Sequence, residues 1–415
     1  MAGKPYFVCI LFGLLMPTAL NAQSAQAPAA GNLSLADALA LAAATNPLIR
    51  RSSANVTAAT DKLRSARTQP NPLLGLAHWA GRDTGGLDED IILTQIVELG
   101  GKVAYRTRTA GAELTAARFD QFGTALDLRL SVQAAYYEAL RTQEDYKVAQ
   151  DTLGTTRKFV EAAQIQYQAG DVARSNVLRS DVELARVQQS LTAAQTEREN
   201  RLATLRSLIG LPTMTSVNLS DKLVFAPVSY SIPDLQTLAV QNRPDIKSAE
   251  ATRAALAATV QSVRAETRPD LFIEGRRASL NPAVEGTSIR AGVTFTLIDL
   301  GRNRADVAAA QAAVAEQDAK IAEAVRIAKL EVETDYRNLE QARSVVETFE
   351  KGRLAQSKEL LDMTETGYDR GASTYLEVLD AQNVYRSEQA DYYRALADYD
   401  IALATLERAV GGKLP

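Results

Sequence analysis

One cysteine and one histidine among 415 residues leave little for metal or thiol chemistry. Cys9 sits in an N-terminal apolar stretch, so a chain cut behind that stretch has neither a disulfide nor a free thiol. His78 alone cannot make a Cys/His metal cluster. There is no Gly-rich phosphate loop and no nucleophile–base pairing, so the chain reads as a non-enzyme without a cofactor. Aromatics are only 6%, which favours helices packed along their length over one large globular core. The net charge of −4 provides no basic surface for nucleic acid. No apolar run reaches the roughly 18 residues of a spanning helix, so a membrane-inserted form would have to insert as strands.

What is present begins with an export signal. Lys4 is the basic start and Tyr6 to Met16 the apolar run. Cleavage is expected after Ala22; Ala25-Gln26-Ala27 offers an alternative site, with Pro28 following the cut. Removing Lys4 takes the net charge from −4 to −5.

The rest of the chain is written twice. Asn46-Pro47-Leu48-Ile49 lies over Arg243-Pro244-Asp245-Ile246 at an offset of 197, which still holds at Pro72 and Pro269. The offset then becomes 201. Glu98-Leu99-Gly100-Gly101-Lys102 lies over Asp299-Leu300-Gly301-Arg302-Asn303, and Gly170 and Gly210 lie over Gly371 and Gly411. A repeat of this length is a duplicated half-structure and not a solenoid unit, which runs about 20–50 residues. The expected division is a leader over 1–22, a first repeat over 23–210, a linker over 211–233, a second repeat over 234–411 and a tail over 412–415.

Each repeat has the same parts. Ser34-Leu35-Ala36-Asp37 resembles a capping box opening a helix to Thr45, and Pro47 starts a second helix that ends near Gln69. In the second copy the helices run from Pro233 to Gln241 and from Pro244 to Thr267. A hairpin follows in each, at about 72–97 and 270–298. In Ser288 to Leu297, Ile289, Ala291, Val293, Phe295 and Leu297 alternate with polar or small residues, the pattern of a strand with lipid on one face and water on the other. Leu271, Ile273 and Gly275 are a weaker partner. Leu73 to Ala80 and Asp90 to Val97 alternate poorly, and a soluble hairpin fits them equally well. From Lys102 to Gln168 and from Arg304 to Thr366 there is no proline, and about 65 helical residues span roughly 100 Å. Val307, Val314, Ile321 and Ala328 recur every seven residues, as do Val325, Val332, Leu339 and Val346, which implies a left-handed coiled coil. Return helices of about 35–40 residues end near Gly210 and Gly411. Two strands per half cannot close a membrane barrel, which needs about eight. A cyclic oligomer would pool them, and three copies would give 12 strands.

This plan, with Gly371-Ala372-Ser373-Thr374-Tyr375-Leu376-Glu377-Val378-Leu379-Asp380-Ala381-Gln382 and the junction Asp299-Leu300-Gly301-Arg302, resembles the TolC family of outer-membrane efflux factors. The resemblance implies a mainly α fold with a small β part. In a homotrimer, long antiparallel coiled-coil helices form an α-barrel that crosses the periplasm, and four strands per chain contribute to a 12-stranded barrel set in outer-membrane lipid. Gln69-Pro70-Asn71-Pro72-Leu73 and Val97-Glu98-Leu99-Gly100-Gly101-Lys102 look like the cation-efflux (CzcC-like) branch. That branch works with a resistance-nodulation-division (RND) pump of the inner membrane and a periplasmic adaptor. No Cys lies near the expected cleavage site, so no lipid anchor is expected.

The resemblance also assigns roles. Glu377 and Asp380 match an acidic pore constriction at the periplasmic mouth, and rings of carboxylates there would attract cations. Thr374-x-x-Glu377 reads equally as a capping box. Tyr368 matches a gate-locking residue whose partner position is Asn176 here, with Ser373 where some members carry Arg. Gly170, Asp171, Gly371, Ala372 and Thr374 match adaptor-contacting tips. Glu98, Gly100, Gly101, Asp299 and Gly301 form the strand-to-helix junctions. Asp83, Asp88, Glu89 and Asp90 make the first hairpin loop acidic, and Trp79 is a candidate for an aromatic girdle. The expected function is a passive exit duct for heavy-metal cations. Organic compounds or type I secretion substrates are the alternative cargo, and a soluble periplasmic coiled-coil scaffold is the alternative class.

Overall fold

A computed structural model describes residues 32–79, 88–213, 215–278, 286–296 and 299–414. The expected leader, both of its cleavage sites and Asp83 lie outside the described residues.

The first copy opens with β1 (Asn32–Leu33), α1 (Leu35–Thr45) and α2 (Pro47–Ala66). The hairpin β2 (Leu73–Trp79) and β3 (Asp88–Val97) follows, then α3 (Lys102–Ala169) and α4 (Arg174–Leu208). The second copy repeats the order with β4 (Asn218–Leu219), α5 (Ile232–Asn242), α6 (Pro244–Ala265), β5 (Asp270–Ala278) and β6 (Gly286–Thr294). α7 (Arg302–Thr348), a π turn (Phe349–Arg353), α8 (Leu354–Asp369) and α9 (Tyr375–Val410) complete it. Among the described residues no helix is long and apolar enough to cross a membrane.

Local signals account for most helix ends. Ser34 caps α1: its Oγ accepts from the Asp37 N–H at 3.2 Å and the Asp37 carboxylate accepts in return from the Ser34 N–H at 3.3 Å. The two copies are tied at the same place by different chemistry. Asn46 caps α2 and its Nδ2 donates to Leu208 O at 2.9 Å, at the end of α4. Its counterpart Arg243 reaches the end of α9, donating to Ala409 O at 3.4 Å while pairing with Asp245 at 2.7 Å and with Glu331. β1 and β4, which the sequence reading lacks, pair in parallel and join the copies through Leu33↔Leu219. Each copy has its own core. Leu33, Val132, Tyr136 and Leu205 belong to the first, and Leu235, Val332, Leu339 and Tyr399 to the second. Ala328, Val332, Leu339 and Val346 of the two heptad lines are buried.

The four long strands form one antiparallel sheet in the order β2-β3-β5-β6, with both edges unpaired among the described residues. Its register sorts the side chains. Leu74, Leu76, Ile91, Leu93, Ile273, Ile289 and Val293 fall on one face; Thr94, Glu274, Ser288, Arg290 and Thr294 fall on the other. The apolar face is exposed, with Leu76 at 77% and Ile289 at 80%. The polar face carries a two-pronged Arg290–Glu274 ion pair, both contacts at 2.9 Å. Phe272 lies across Gly292, where an added Cβ would come within 2.6 Å of the ring.

Five expectations need correction. The second long helix is not continuous from Arg304 to Thr366: it starts at Arg302 and breaks at Gly352, whose φ of 125° interrupts the α pattern. At the junctions the repeat offset is 200 and not 201. The first helical hydrogen bonds run from Tyr105 to Gly101 O and from Ala305 to Gly301 O, so Gly101 and not Gly100 matches Gly301. The last strand covers Gly286–Thr294 and not Ser288–Leu297, and Leu297 lies outside the described residues. Asp88, Glu89 and Asp90 belong to β3, paired with Trp79, His78 and Ala77, and not to a loop. α2 and α6 stop at Ala66 and Ala265, short of Gln69 and Thr267, where the last turn tightens through i→i−3 bonds from Arg67 N–H to Arg64 O at 3.3 Å and from Glu266 N–H to Val263 O at 3.2 Å.

Candidate functional site

The residues singled out at the helical tips lie on two turns of matching design. α3 ends at Gly170, with φ of 86°, whose N–H donates to Tyr167 O at 3.1 Å while the Asp171 N–H donates to Gln166 O at 2.9 Å. In the second copy Gly371, with φ of 72°, donates to Tyr368 O at 3.0 Å and Ala372 donates to Gly367 O at 2.7 Å. Neither glycine has a neighbour that a Cβ would touch, so the left-handed backbone alone calls for glycine. Ser373 folds onto Gly367, where a Cβ would collide with its Oγ.

Beyond the turns the copies diverge. Thr374 opens α9 with a full capping box. Its Oγ1 accepts from the Glu377 N–H at 3.4 Å, and the Glu377 carboxylate accepts from the Thr374 N–H at 2.6 Å and from Oγ1 at 3.0 Å. These bonds, the backbone one first, hold the Glu377 carboxyl below its usual range. Ala173 at the start of α4 has no side-chain cap. Glu377 and Asp380 are both exposed, three residues apart along one side of α9. The cap occupies one oxygen of Glu377 and leaves the residue at the surface.

Tyr368 and Asn176 are not hydrogen-bonded to each other among the described residues. The Tyr368 hydroxyl donates instead to Gln166 Oε1 on α3, at 3.0 Å. Its ring belongs to a triangle with Phe159 and Tyr375, all three centroid separations being 6.3 Å. Tyr375 is 6% exposed and its hydroxyl has no hydrogen-bond partner among the described residues; burial first, then the nearby Glu183 and Tyr368, push it up to about 12. Phe159, Gln166 and Tyr375 therefore join the first hairpin to the second; the sequence reading missed Phe159 and Gln166, and quoted Tyr375 in the family-like stretch without giving it a role. A signal for Gln166 exists: it is the counterpart of Gly367 in the repeat. Phe159 and Tyr368 also line a cleft of about 610 Å³ between α3, α8 and α9, with Gln382 donating to Glu365 at 3.3 Å on its wall.

The junctions hold the other expected residues. Glu98 pairs with Arg106 at 2.8 Å, and its N–H donates to Gln69 Oε1 at 2.8 Å. Arg268 packs over Gly100 and donates to its carbonyl, leaving no room for a Cβ. Asp299 accepts from the Asn303 N–H at 3.1 Å, so it caps α7 in place of a side chain at Gly301. Among the described residues no group of three or more His, Cys, Asp and Glu is arranged to hold a metal ion.

The chain thus combines an exposed apolar sheet face, two sheet edges unpaired among the described residues, and long paired helices. The sequence matches the outer membrane efflux protein family over residues 38–211 and 235–412, so the chain belongs to that family. It is an outer-membrane efflux protein. The cobalt-zinc-cadmium resistance protein CzcC of Cupriavidus metallidurans is 24% identical over 390 residues, 92% of this chain and 91% of its own length. The pyoverdine export outer membrane protein OpmQ of Pseudomonas putida is 26% identical over 347 residues, 80% of this chain and 72% of its own length. Among solved structures, the open state of the Neisseria gonorrhoeae MtrE outer membrane channel has a TM-score of 0.76 at 20% identity, covering 91% of this chain and 89% of that one. CusC has a TM-score of 0.74 at 17% identity, covering 91% and 92%.

Proposed function

We propose that the chain is the passive exit duct of a tripartite efflux system whose cargo is heavy-metal cations. The observation that carries the metal reading is the end-to-end similarity to a cobalt-zinc-cadmium resistance protein, which covers more of both chains than the similarity to the pyoverdine exporter. The chain assembles as a homotrimer, because the sheet has two open edges and too few strands to close alone. An RND pump supplies the energy, and a periplasmic adaptor docks at the tips around Gly170, Asp171, Gly371, Ala372 and Thr374. Glu377 and Asp380 line the constriction, both being exposed at the start of α9. Tyr368 latches the mouth through Gln166 and the aromatic triangle, a latch without ionic assistance. The copies of the repeat divide at the 211–233 linker.

Susceptibility of a strain lacking the protein, beside the complemented strain, tests the cargo. Sensitivity to zinc, cobalt or cadmium alone supports the cation reading. Sensitivity to dyes, detergents or antibiotics moves the cargo to organic molecules, the reading that similarity to a pyoverdine exporter favours. Replacing both Glu377 and Asp380 with Ala should raise conductance in planar bilayers and abolish block by multivalent cations; unchanged block removes them from the constriction.

A further inference from the structure

The four helix ends that meet the sheet carry charge out of proportion to the rest of the chain. α2 and α6 run into the same end of the sheet that α3 and α7 leave, since Leu73 pairs with Thr94, Val97 with Leu271 and Asp270 with Thr294. Residues 61–67, 98–108, 264–270 and 299–306, which make these junctions, hold ten Lys and Arg against six Asp and Glu. That is a surplus of four positive charges in a chain whose net charge is −4. The next stretches of the same helices, 53–60, 109–117, 254–263 and 307–315, contain Glu113 as their one charged residue. The basic residues are therefore gathered into a collar at the sheet and not spread along the helices.

Internal electrostatics explains only part of the collar. Arg64 and Arg264 lie in the last turns of α2 and α6, where a cation offsets the negative end of the helix dipole. α3 and α7 begin here without an acidic residue in the first turn, and carry Lys102, Arg302 and Arg304 at the end that the dipole makes positive. Lys102 pairs with Asp270 at 2.7 Å and Arg106 with Glu98 at 2.8 Å. Lys62, Arg67, Arg264 and Arg304 are exposed, and their side chains have no hydrogen-bond or ion-pair partner among the described residues. The collar also adjoins apolar surface. Leu300 is 95% exposed, Leu99 and Phe295 are exposed at the same end of the sheet, and Val293 continues the apolar face of Ile289 and Leu93. Arg108 and Arg268 lie over the ring of Tyr105, at 5.8 and 5.9 Å, and tyrosine is a residue enriched where a membrane meets water. An apolar band edged by unpaired cations suits lipid tails followed by anionic headgroups.

We propose that this collar binds the phosphates of anionic phospholipids in the periplasmic leaflet of the outer membrane, and so fixes the depth at which the sheet sits. This rests on the reading of the chain as an outer-membrane duct whose helices lie in the periplasm. Trp79 is the single tryptophan of the chain, so Trp79→Phe with Leu300→Trp puts one fluorophore at the collar. The assembled full-length protein is reconstituted in vesicles of phosphatidylglycerol and phosphatidylcholine, with brominated chains on one lipid or the other. Brominated phosphatidylglycerol should quench several-fold more than its share of the bilayer dictates. The excess should vanish in about 1 M salt, where screening acts within a few Å. Lys62→Gln, Arg67→Gln, Arg264→Gln and Arg304→Gln together should also abolish it. If the combined variant does not assemble, the salt dependence decides. Equal quenching by the two lipids, or a preference that survives the salt or the substitutions, overturns the collar and leaves the membrane reading intact. No quenching by either lipid, in protein that floats with the vesicles, puts the junction outside the bilayer and overturns the collar alone. Protein that does not float with the vesicles removes the membrane reading and the collar together.

Discussion

The first hairpin, α3 with α4, and the second, α7 to α9, share a path and differ in how they are fastened. The first has an uninterrupted helix and a return helix with no side-chain cap; the second has a broken helix and a fully capped return. Where their return helices end, both are tied to the helix pair that precedes them in the same copy at equivalent carbonyls, Leu208 and Ala409, but by Asn46 in one copy and by the buried, doubly paired Arg243 in the other. Duplication has kept the backbone route, because left-handed glycines and apolar spacing demand it. Side chains at the ends were free to diverge, and the second hairpin acquired both the acidic surface of α9 and a break at Gly352.

Matched substitutions in the two copies test this. The largest effect is expected on the sheet: Leu76→Arg and Ile289→Arg should each cost about 2–4 kcal/mol if they sit at mid-membrane. Each should abolish heat-modifiable assembly, whereas Ser288→Arg on the opposite face should not. Unequal losses would mean that the copies do not share one lipid face.

Gly411→Ala should follow, and should exceed Gly210→Ala. Both force alanine into a left-handed backbone, at about 1–2 kcal/mol. The new Cβ at Gly411 meets backbone, at 2.8 Å from Asn242 C and 2.9 Å from Arg243 N, whereas at Gly210 it meets the Thr45 side chain. Thermal unfolding of the two variants gives the order.

Asp400 and its counterpart Glu199 differ in burial. Desolvation pushes the Asp400 carboxyl up to about 7, whereas the Glu199 side chain is 52% exposed. The folded chain thus holds the Asp400 proton more tightly than the unfolded chain does. The stability this contributes is full below about 4, falls as pH rises, and is gone above about 7. Asp400→Asn should raise stability at pH 8 by on the order of 1–3 kcal/mol and change little at pH 4.

The smallest effect is at the caps. Thr374→Ala should cost about 1 kcal/mol. Ala173→Thr with Asn176→Glu would build the same box in the first copy and should gain a comparable amount, read as the thermal midpoint. A gain without any change in conductance would confine the cap's role to the second copy's mouth.

Much of this was legible because it is local. The capping boxes at Ser34 and Thr374, the proline stops and the glycine turns are decided within a few residues by torsion and hydrogen bonding. The face of β6 was legible from Ile289 to Val293. That of β2 was not, because Leu73 and Leu74 are both apolar and only pairing with β3 shows which one shares a face with Ile289. The Tyr368 partner was missed for a similar reason: Gln166 is distant in sequence, and its side chain replaces a glycine of the other copy.

By itself the sequence determined the duplication, the helix and strand plan, the family and the places where the chain must turn, since periodicity and backbone torsion are properties of neighbouring residues. Tertiary structure decided the sheet face, the union of Phe159, Tyr368 and Tyr375, and the break at Gly352. Each depends on which distant segments meet, and one added residue in a long helix can be absorbed only where the packing around it permits a wider turn.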